Sequence, residues 1–406
     1  MFNKIRSDFP ILQNKVYDKP LIYLDSAASA QKPSVVIETM RDLLMTSYGN
    51  VHRGMHYLSN QSTAIYEEAR EAVARFINSQ LPEEIIFTKN ATEAINLVAY
   101  SWGMNNLKSG DEIILSILEH HANIVPWNFL REKLGVKIKF IYLTHNGTLN
   151  IDEFKKALSN KTKLVAITHM SNVTGQVLPI KEISVLAHSL GAKVLIDGSQ
   201  GIVHNKVDVQ EIDCDWYAFT GHKLYAATGI GVLYGKKHIL ENQAPFLGGG
   251  EMIETVTENE ITYNELPFKF EAGTPPIIEA ASLKAAIKYI EGIGLDNIHN
   301  YENELMKYAI SKLKQLEDIT YYGDLNQSKG IISFNIKDIH PHDLASYLDN
   351  KGIAIRAGTH CAQPLLAYFG ITACSRASIS FYNNKNDIDS FIDGLANAKR
   401  FFYGFK

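Results

Sequence analysis

Lys223 sits in the stretch Thr220-Gly221-His222-Lys223, between the β-type runs 216–219 and 228–234. A lysine so placed can form a Schiff base with an aldehyde if its surroundings lower its pKa. The plainer reading is a solvated surface lysine, so partners elsewhere in the chain must decide. Asp197 ends the apolar run 193–196 with an acid, which suits pairing with a protonated ring nitrogen; a turn-forming Asp is the alternative. Glu119-His120-His121-Ala122-Asn123 follows another apolar run, and an imidazole there can stack on a planar ring and move protons. In 87–96 a strand passes through a polar turn into a helix, whose first N–H groups with the Thr92 hydroxyl suit a phosphate. Thr92 as a simple N-cap is the competing reading. Farther on, Cys361 lies between Arg356, His360 and a small-residue turn, where a lowered pKa would make the thiol a nucleophile; a buried inert cysteine is the commoner case. Arg376 is suited to a two-point clamp on a carboxylate, or to a surface ion pair. His52 and His56 have the i, i+4 spacing of metal ligands, but Gly49 and Gly54 interrupt the helix that such spacing needs, so no metal site is expected.

The elements that must position these residues follow from periodicity. A short strand at 21–25 leads to the small-residue loop 26–30, and 34–45 and 64–77 read as helices. From residue 84 apolar runs alternate with amphipathic helices: strands at 84–87, 111–115, 137–142, 163–168 and 193–196, with helices at 92–102, 124–134, 151–158 and 180–190. Strands that are apolar throughout imply a mostly parallel sheet covered on both faces, with ligands at the carboxyl ends of its strands. Asp197 and Lys223 then face one cavity. The glycines of 247–250 mark a mobile loop, and a long helix at 276–292 leads to a second region with strands at 330–336 and 352–356 and helices at 342–348 and 387–398. The expected organisation is α/β: an N-terminal segment 1–20 packing with the small domain, a large domain 21–275, and a linking helix with a smaller α+β domain over 276–406.

With 406 residues and a formal charge of -4, the chain has room for two cores and no basic block, so nucleic acid is excluded as the main partner. No apolar run is long enough to span a membrane, and the first residues lack a secretory signal, which makes a cytoplasmic location the expectation. The 3 cysteines, Cys214, Cys361 and Cys374, cannot pair evenly and form no C-x-x-C, so neither a disulfide framework nor structural zinc is expected.

Taken together, the motifs resemble those of the Suf-type cysteine desulfurases, in the class V group of fold-type I enzymes that depend on pyridoxal 5'-phosphate. The resemblance runs through Tyr23-Leu24-Asp25-Ser26-Ala27-Ala28, Asn50-Val51-His52-Arg53-Gly54, Ala91-Thr92-Glu93-Ala94-Ile95-Asn96, the stretch 119–127, Gly221-His222-Lys223, Phe270-Glu271-Ala272-Gly273-Thr274-Pro275 and the loop of Cys361. It implies that Lys223 holds the cofactor as a Schiff base, that Asp197 faces its ring nitrogen and Gln200 its hydroxyl, and that His120 stacks on the ring. Thr92, Thr220 and His222 would hold the phosphate, joined by Thr274 from the other subunit of a homodimer. Asn172 and Arg376, with Arg356 nearby, would bind the substrate carboxylate, and Cys361 would take the sulfur of L-cysteine as a persulfide, leaving alanine. The implied role is sulfur delivery to iron–sulfur cluster assembly through an acceptor protein. His340-Pro341-His342, which precedes a helix of the small domain, is a candidate docking surface for it, with a plain helix-start turn as the alternative.

Three positions depart from the pattern: Asn90-Ala91 for Gly-Thr, Ala226-Ala227 for Gly-Pro, and Thr359 for a histidine. A selenocysteine lyase or another class V enzyme is the alternative. A nicotinamide oxidoreductase would need G-x-G-x-x-G after the first strand, and the chain lacks it there. A non-catalytic sulfur carrier would be colourless.

Overall fold

The computed structural model describes residues 2–145 and 147–404. Its centre is a seven-stranded sheet made of Ile85–Thr88 (β1), Glu112–Ser116 (β2), Lys137–Ile141 (β3), Thr162–Thr168 (β4), Lys193–Asp197 (β5), Trp216–Thr220 (β6) and Gly231–Gly235 (β7). Their order is β1-β7-β6-β5-β4-β2-β3, and β7 alone runs antiparallel to both its neighbours. Side chains alternate between two apolar clusters, one holding Ile114, Val165, Ile167, Val194, Ile196 and Phe219, the other Ile113, Leu115, Leu164, Ala166, Leu195 and Ala218. This period of two, with both faces buried, is why the strands read as unbroken apolar runs.

A second sheet is antiparallel: Ile319–Tyr321 (β8), Ile331–Ile336 (β9), Arg356–Gly358 (β10) and Cys374–Ser378 (β11), ordered β8-β9-β11-β10. Helices Leu295–Leu313, Pro341–Asp349 and Lys385–Gly404 close over it, with Leu305, Leu344, Phe391 and Leu395 meeting Ile332 and Phe334. The helix Ile277–Ile293 packs on Ser34–Thr46 and Tyr57–Phe76.

Near the N-terminus, Phe9 is fully buried among the rings of Tyr225, Tyr289, Phe381 and Tyr382, and Arg6 pairs with Asp387 at 2.8 Å. The strand Ile22–Tyr23 then pairs in parallel with Ile353–Ala354, and Asp25 bridges to Ser378.

Several elements differ from the sequence expectation. The helix expected at 64–77 begins at Tyr57, because the His56 imidazole caps it by accepting from the Ser59 N–H at 3.2 Å. The helix expected at 92–102 is α-helical over Ala91–Leu97 and widens to a π turn over Val98–Gly103. After 247–250 comes a hairpin, Ile253–Val256 with Ile261–Tyr263, whose exposed residues carry no core-facing alternation. The strand expected at 352–356 is two pieces that change partners at Ile355: Ile353–Ala354 joins the N-terminal strand, whereas Arg356–Gly358 joins β11.

Candidate active site

The carboxyl ends of β4, β5 and β6 carry Thr168, Asp197 and Thr220, and all three line one cavity of about 260 Å³. One 3-10 turn, Gly221–Lys223, follows β6 and brings Lys223 into the same cavity. Burial draws the Lys223 pKa down to about 8, against the opposing pull of Asp197; Arg376 and Cys361 also act on its charge. Asp197 is almost fully buried, and its Oδ1 accepts from the Ser199 N–H at 3.0 Å. Gln200 donates to the Ala27 carbonyl at 2.7 Å, fixing the small-residue loop beside Asp197.

His120 lines the cavity from the turn after β2. Its Nδ1 accepts from the Ala122 N–H at 3.1 Å, so the proton of the neutral ring is on Nε2. Burial, then the charge of Lys223, lowers its pKa to about 4. His222 is neutral for the same reasons, also near 4, with Nδ1 3.2 Å from the Ser29 hydroxyl.

At the opposite end of the cavity a helix begins at Ala91. Its N-cap is Asn90, whose Oδ1 accepts from the Glu93 N–H at 2.9 Å, so the N-cap reading of Thr92 is incorrect. Asn90, standing at a departure from the family pattern, satisfies one donor of the first turn and leaves the N–H groups of Ala91 and Thr92 beside the cavity. The Thr220 hydroxyl is buried there without a partner. Gly231 is required beneath this turn: a Cβ on it would lie 2.3 Å from the Asn90 carbonyl carbon.

The facing wall comes from the second sheet and the loop after β4. Arg376 donates from Nη1 to the Asn172 carbonyl at 2.9 Å, while Asn172 donates from Nδ2 to the His360 carbonyl at 2.8 Å. Arg376 Nε, Asn172 Oδ1, His360 Nδ1 and Ser375 Oγ are buried here without a partner. Cys361 is exposed and lines the cavity, with φ 54 after His360 at φ 51. Two consecutive left-handed residues other than glycine cost about 1–2 kcal/mol each, and the loop is held by its neighbours. The Cys361 carbonyl accepts from the His121 N–H at 2.7 Å, and the Gln363 N–H donates to His121 Nε2 at 3.1 Å. His360 does not serve the thiol as a charged neighbour. Burial and Arg376 hold it neutral, with its pKa near 3, and its Nε2 donates to the Cys374 carbonyl at 2.9 Å.

Lys223, His120, Asp197, Gln200, Thr92, Thr220, His222, Asn172, Arg376, Arg356 and Cys361 therefore share one cavity within a single chain. Thr274 does not join them; it is exposed on the loop after Glu271. His52 bonds Glu67 at 2.8 Å, and among the described residues no cluster is placed to hold a metal ion.

Three participants were missed in the sequence. Lys32 donates to the carbonyls of Ala30 and His222, the latter at 2.9 Å, and so fixes the peptide that leads into Lys223. Glu119, fully buried and with its pKa pushed up to about 8 by burial, accepts from the Thr168 N–H at 3.0 Å and from Asn123 at 2.7 Å. Asp25 is shared by Arg356 and Arg376. Asp25 ends a short strand with an acid, the same signal that singled out Asp197, and lies in the first motif of the resemblance, but it was given no role there.

The chain is 50% identical over 402 residues to a probable cysteine desulfurase of Synechocystis, covering 98% of this chain and 96% of that one. Its fold is similar to the cysteine desulfurase CsdA of Escherichia coli, with a TM-score of 0.92 at 38% identity and 99% of each chain covered. A cystine C-S lyase, C-DES, shares the fold at a TM-score of 0.83 and 24% identity, covering 96% of this chain and 99% of that one. The aminotransferase class-V family model matches residues 22–391, and the chain belongs to that family.

Proposed function

We propose that this chain is a pyridoxal 5'-phosphate-dependent cysteine desulfurase, and the observation that carries the proposal is the sharing of one cavity by Lys223 and Cys361. They come from different sheets, and a transaminating site has no use for a thiol at its mouth. The residues fit the cofactor. The cavity has free N–H groups and an unpartnered Thr220 hydroxyl at one end, a buried lysine of lowered pKa, and a buried carboxylate at a strand terminus.

In this reading Thr92, Thr220 and His222 hold the phosphate, Gln200 the ring hydroxyl, Asp197 the ring nitrogen and His120 a ring face. Thr274, exposed in one chain, completes the phosphate site of a second copy in a homodimer. When bound, pyridoxal phosphate supplies an electrophilic carbon for the substrate amine and a ring that accepts the electrons of a broken bond. Asp197 stabilises positive charge on that ring's nitrogen. Arg376, whose Nε donor is buried without a partner, binds the substrate carboxylate, with Asn172 beside it and Arg356 at the rim. Lys223 takes the α-proton, an exchange that its lowered pKa favours near neutral pH. Neutral His120, with its proton on Nε2, assists. Cys361 then attacks the substrate sulfur: the carbon–sulfur bond breaks, a sulfur–sulfur bond forms, and alanine leaves with the thiol proton accounted for on its carbon. The persulfide stays on Cys361.

The loop of Cys361 is short and pinned to His121, which supports delivery to a docked acceptor protein of the Suf system for iron–sulfur cluster assembly. His342 is exposed beside Gly358, at the entry to that loop, and is the proposed docking contact. No helix among the described residues is long and apolar enough to cross a membrane, and the 3 free cysteines suit a reducing cytoplasmic setting. The same reading divides the chain at 1–20, 21–275 and 276–406; the second sheet has an apolar cluster of its own, which takes in Ile22 and Leu24, whereas Ile5, Phe9, Leu12 and the helix Ile277–Ile293 join the cluster of the large sheet. The test is turnover of L-cysteine by the yellow holoenzyme, where alanine and reducible sulfur must form in equal amounts; alanine without sulfur, or a keto acid instead, overturns the proposal.

A further inference from the structure

The register between β2 and β4 runs as far as Ile114 opposite Val165 and ends there. β2 continues beside β3 to Ser116, and β4 beside β5 to Thr168, so the two strands part from each other as they approach the cavity that Thr168 lines. A side chain takes the place of the missing ladder. The Glu119 carboxylate accepts from the Thr168 N–H at 3.0 Å and from the Ser116 hydroxyl through Oε1, and from Asn123 Nδ2 at 2.7 Å through Oε2. Asn123 has one orientation only, because its Oδ1 accepts at 3.0 Å from Trp127 Nε1, a group that can only donate. Ser116, Glu119, Asn123 and Trp127 are all fully buried, and a buried network with every member satisfied is rigid. Glu119 directly precedes His120, and Thr168 is the register partner of Asp197. The carboxylate thus ties the turn that presents His120 to the strand end beside Asp197.

We infer that Glu119 is a positioning residue: it sets where the His120 imidazole stands relative to Asp197, and so how a ring that touches both is oriented. The inference rests on the reading of His120 at the cofactor's ring face and Asp197 at its ring nitrogen. Donors meet both carboxylate oxygens, which an amide cannot match. With its oxygen toward Thr168, a glutamine would turn its NH2 group on Asn123 Nδ2; with its oxygen toward Asn123, it would turn that group on the Thr168 N–H. Asn123 cannot flip to accept, since Trp127 holds its oxygen. A neutral carboxylic acid does fit, because the Ser116 hydroxyl can turn to accept its proton. So does an exchange of the two groups: Glu119→Gln combined with Asn123→Asp places an acid where it accepts from both Trp127 and the new amide.

The test is the visible circular dichroism of each holoenzyme per bound pyridoxal phosphate, which reads the asymmetric surroundings of the ring. Glu119→Gln shifts the signal in the same direction as His120→Ala, and the double variant Glu119→Gln with Asn123→Asp returns it to the wild-type value. In single turnover, loss of the substrate α-proton slows at least about tenfold in Glu119→Gln, the order expected for a misplaced group, and recovers in the double variant. A purely structural role would lower the melting temperature of Glu119→Gln and leave the signal per bound cofactor at the wild-type value, and that result overturns the inference. A double variant no better than Glu119→Gln overturns it too. Should Glu119→Gln fail to fold, Asn123→Ala decides alone, since it removes the donor to Oε2, and an unaltered signal again overturns it. If His120→Ala leaves the signal unaltered, the reading of His120 at the ring face falls first and takes this inference with it.

Discussion

The backbone N–H of His121 donates to the carbonyl of Cys361 at 2.7 Å, so the turn that presents His120 also holds the cysteine loop. The two lie 240 residues apart in the chain, in contact with different sheets, and the bond joins the group proposed to stack on the cofactor to the group proposed to take the sulfur.

Removing that donor separates the two roles. His121→Pro deletes the N–H at the first position of a 3-10 turn, where proline is tolerated, whereas His121→Ala removes only the imidazole that accepts from Gln363. The expected outcome is cofactor content near wild type in both. Single-turnover persulfide formation should slow at least about tenfold in the proline variant, the cost of misplacing a reacting group, and much less in the alanine variant. Equal rates in the two variants would show that the backbone bond does not position Cys361.

Lys223 sets the pH at which the cofactor-free protein captures an aldehyde. Because burial draws its pKa from 10.5 to about 8, the reactive amine is populated as pH rises through about 8. The rate of recombination with pyridoxal phosphate should follow that titration. Asp197 raises this pKa, so Asp197→Asn should move the midpoint to lower pH. A midpoint that stays put, or one near 10.5 in wild type, contradicts the buried electrostatics.

Just before β6, at the amino end of that strand, Asp215 is bonded by His188 at 2.8 Å; His188 also lies 3.3 Å from Asp213, and the bond to Asp215 is the main cause of its raised pKa. A raised folded pKa means that the protonated ring stabilises the fold. That contribution is fully present below the unfolded pKa of about 6.5 and is lost as pH rises through the folded value. His188→Gln should therefore lower the melting temperature more at pH 6 than at pH 9. The opposite order would mean that the ring is not held in its charged form.

Much of the fold and site was legible because buried parallel strands announce themselves. Asp197 and Lys223 stood out as polar residues directly after apolar runs, and both fall at carboxyl ends of the sheet. Long-range pairing was not legible. Nothing local distinguishes Ile353–Ala354 from Arg356–Gly358, yet the switch of partners at Ile355 is what sets Arg356 opposite Arg376. The N-cap alternative for Thr92 fails because Asn90 is as good a cap, and only the Asn90–Glu93 bond decides between them. The helix Leu295–Leu313 escaped notice where it follows Ile277–Ile293 across a single glycine, Gly294. Lys32 and Glu119 act through carbonyls and N–H groups distant in sequence, which no spacing encodes.

The central claim is that Lys223 and Cys361 perform successive halves of one reaction in one cavity. The most direct measurement is intact-protein mass after one exposure of each holoenzyme to L-cysteine. Wild type should gain one sulfur atom, removed by reductant and mapped to Cys361. Cys361→Ser should keep its cofactor and its spectral response to cysteine but gain no sulfur, and Lys223→Ala should gain none. A persulfide formed on Cys214 or Cys374, or full sulfur release by Cys361→Ser, would contradict the account.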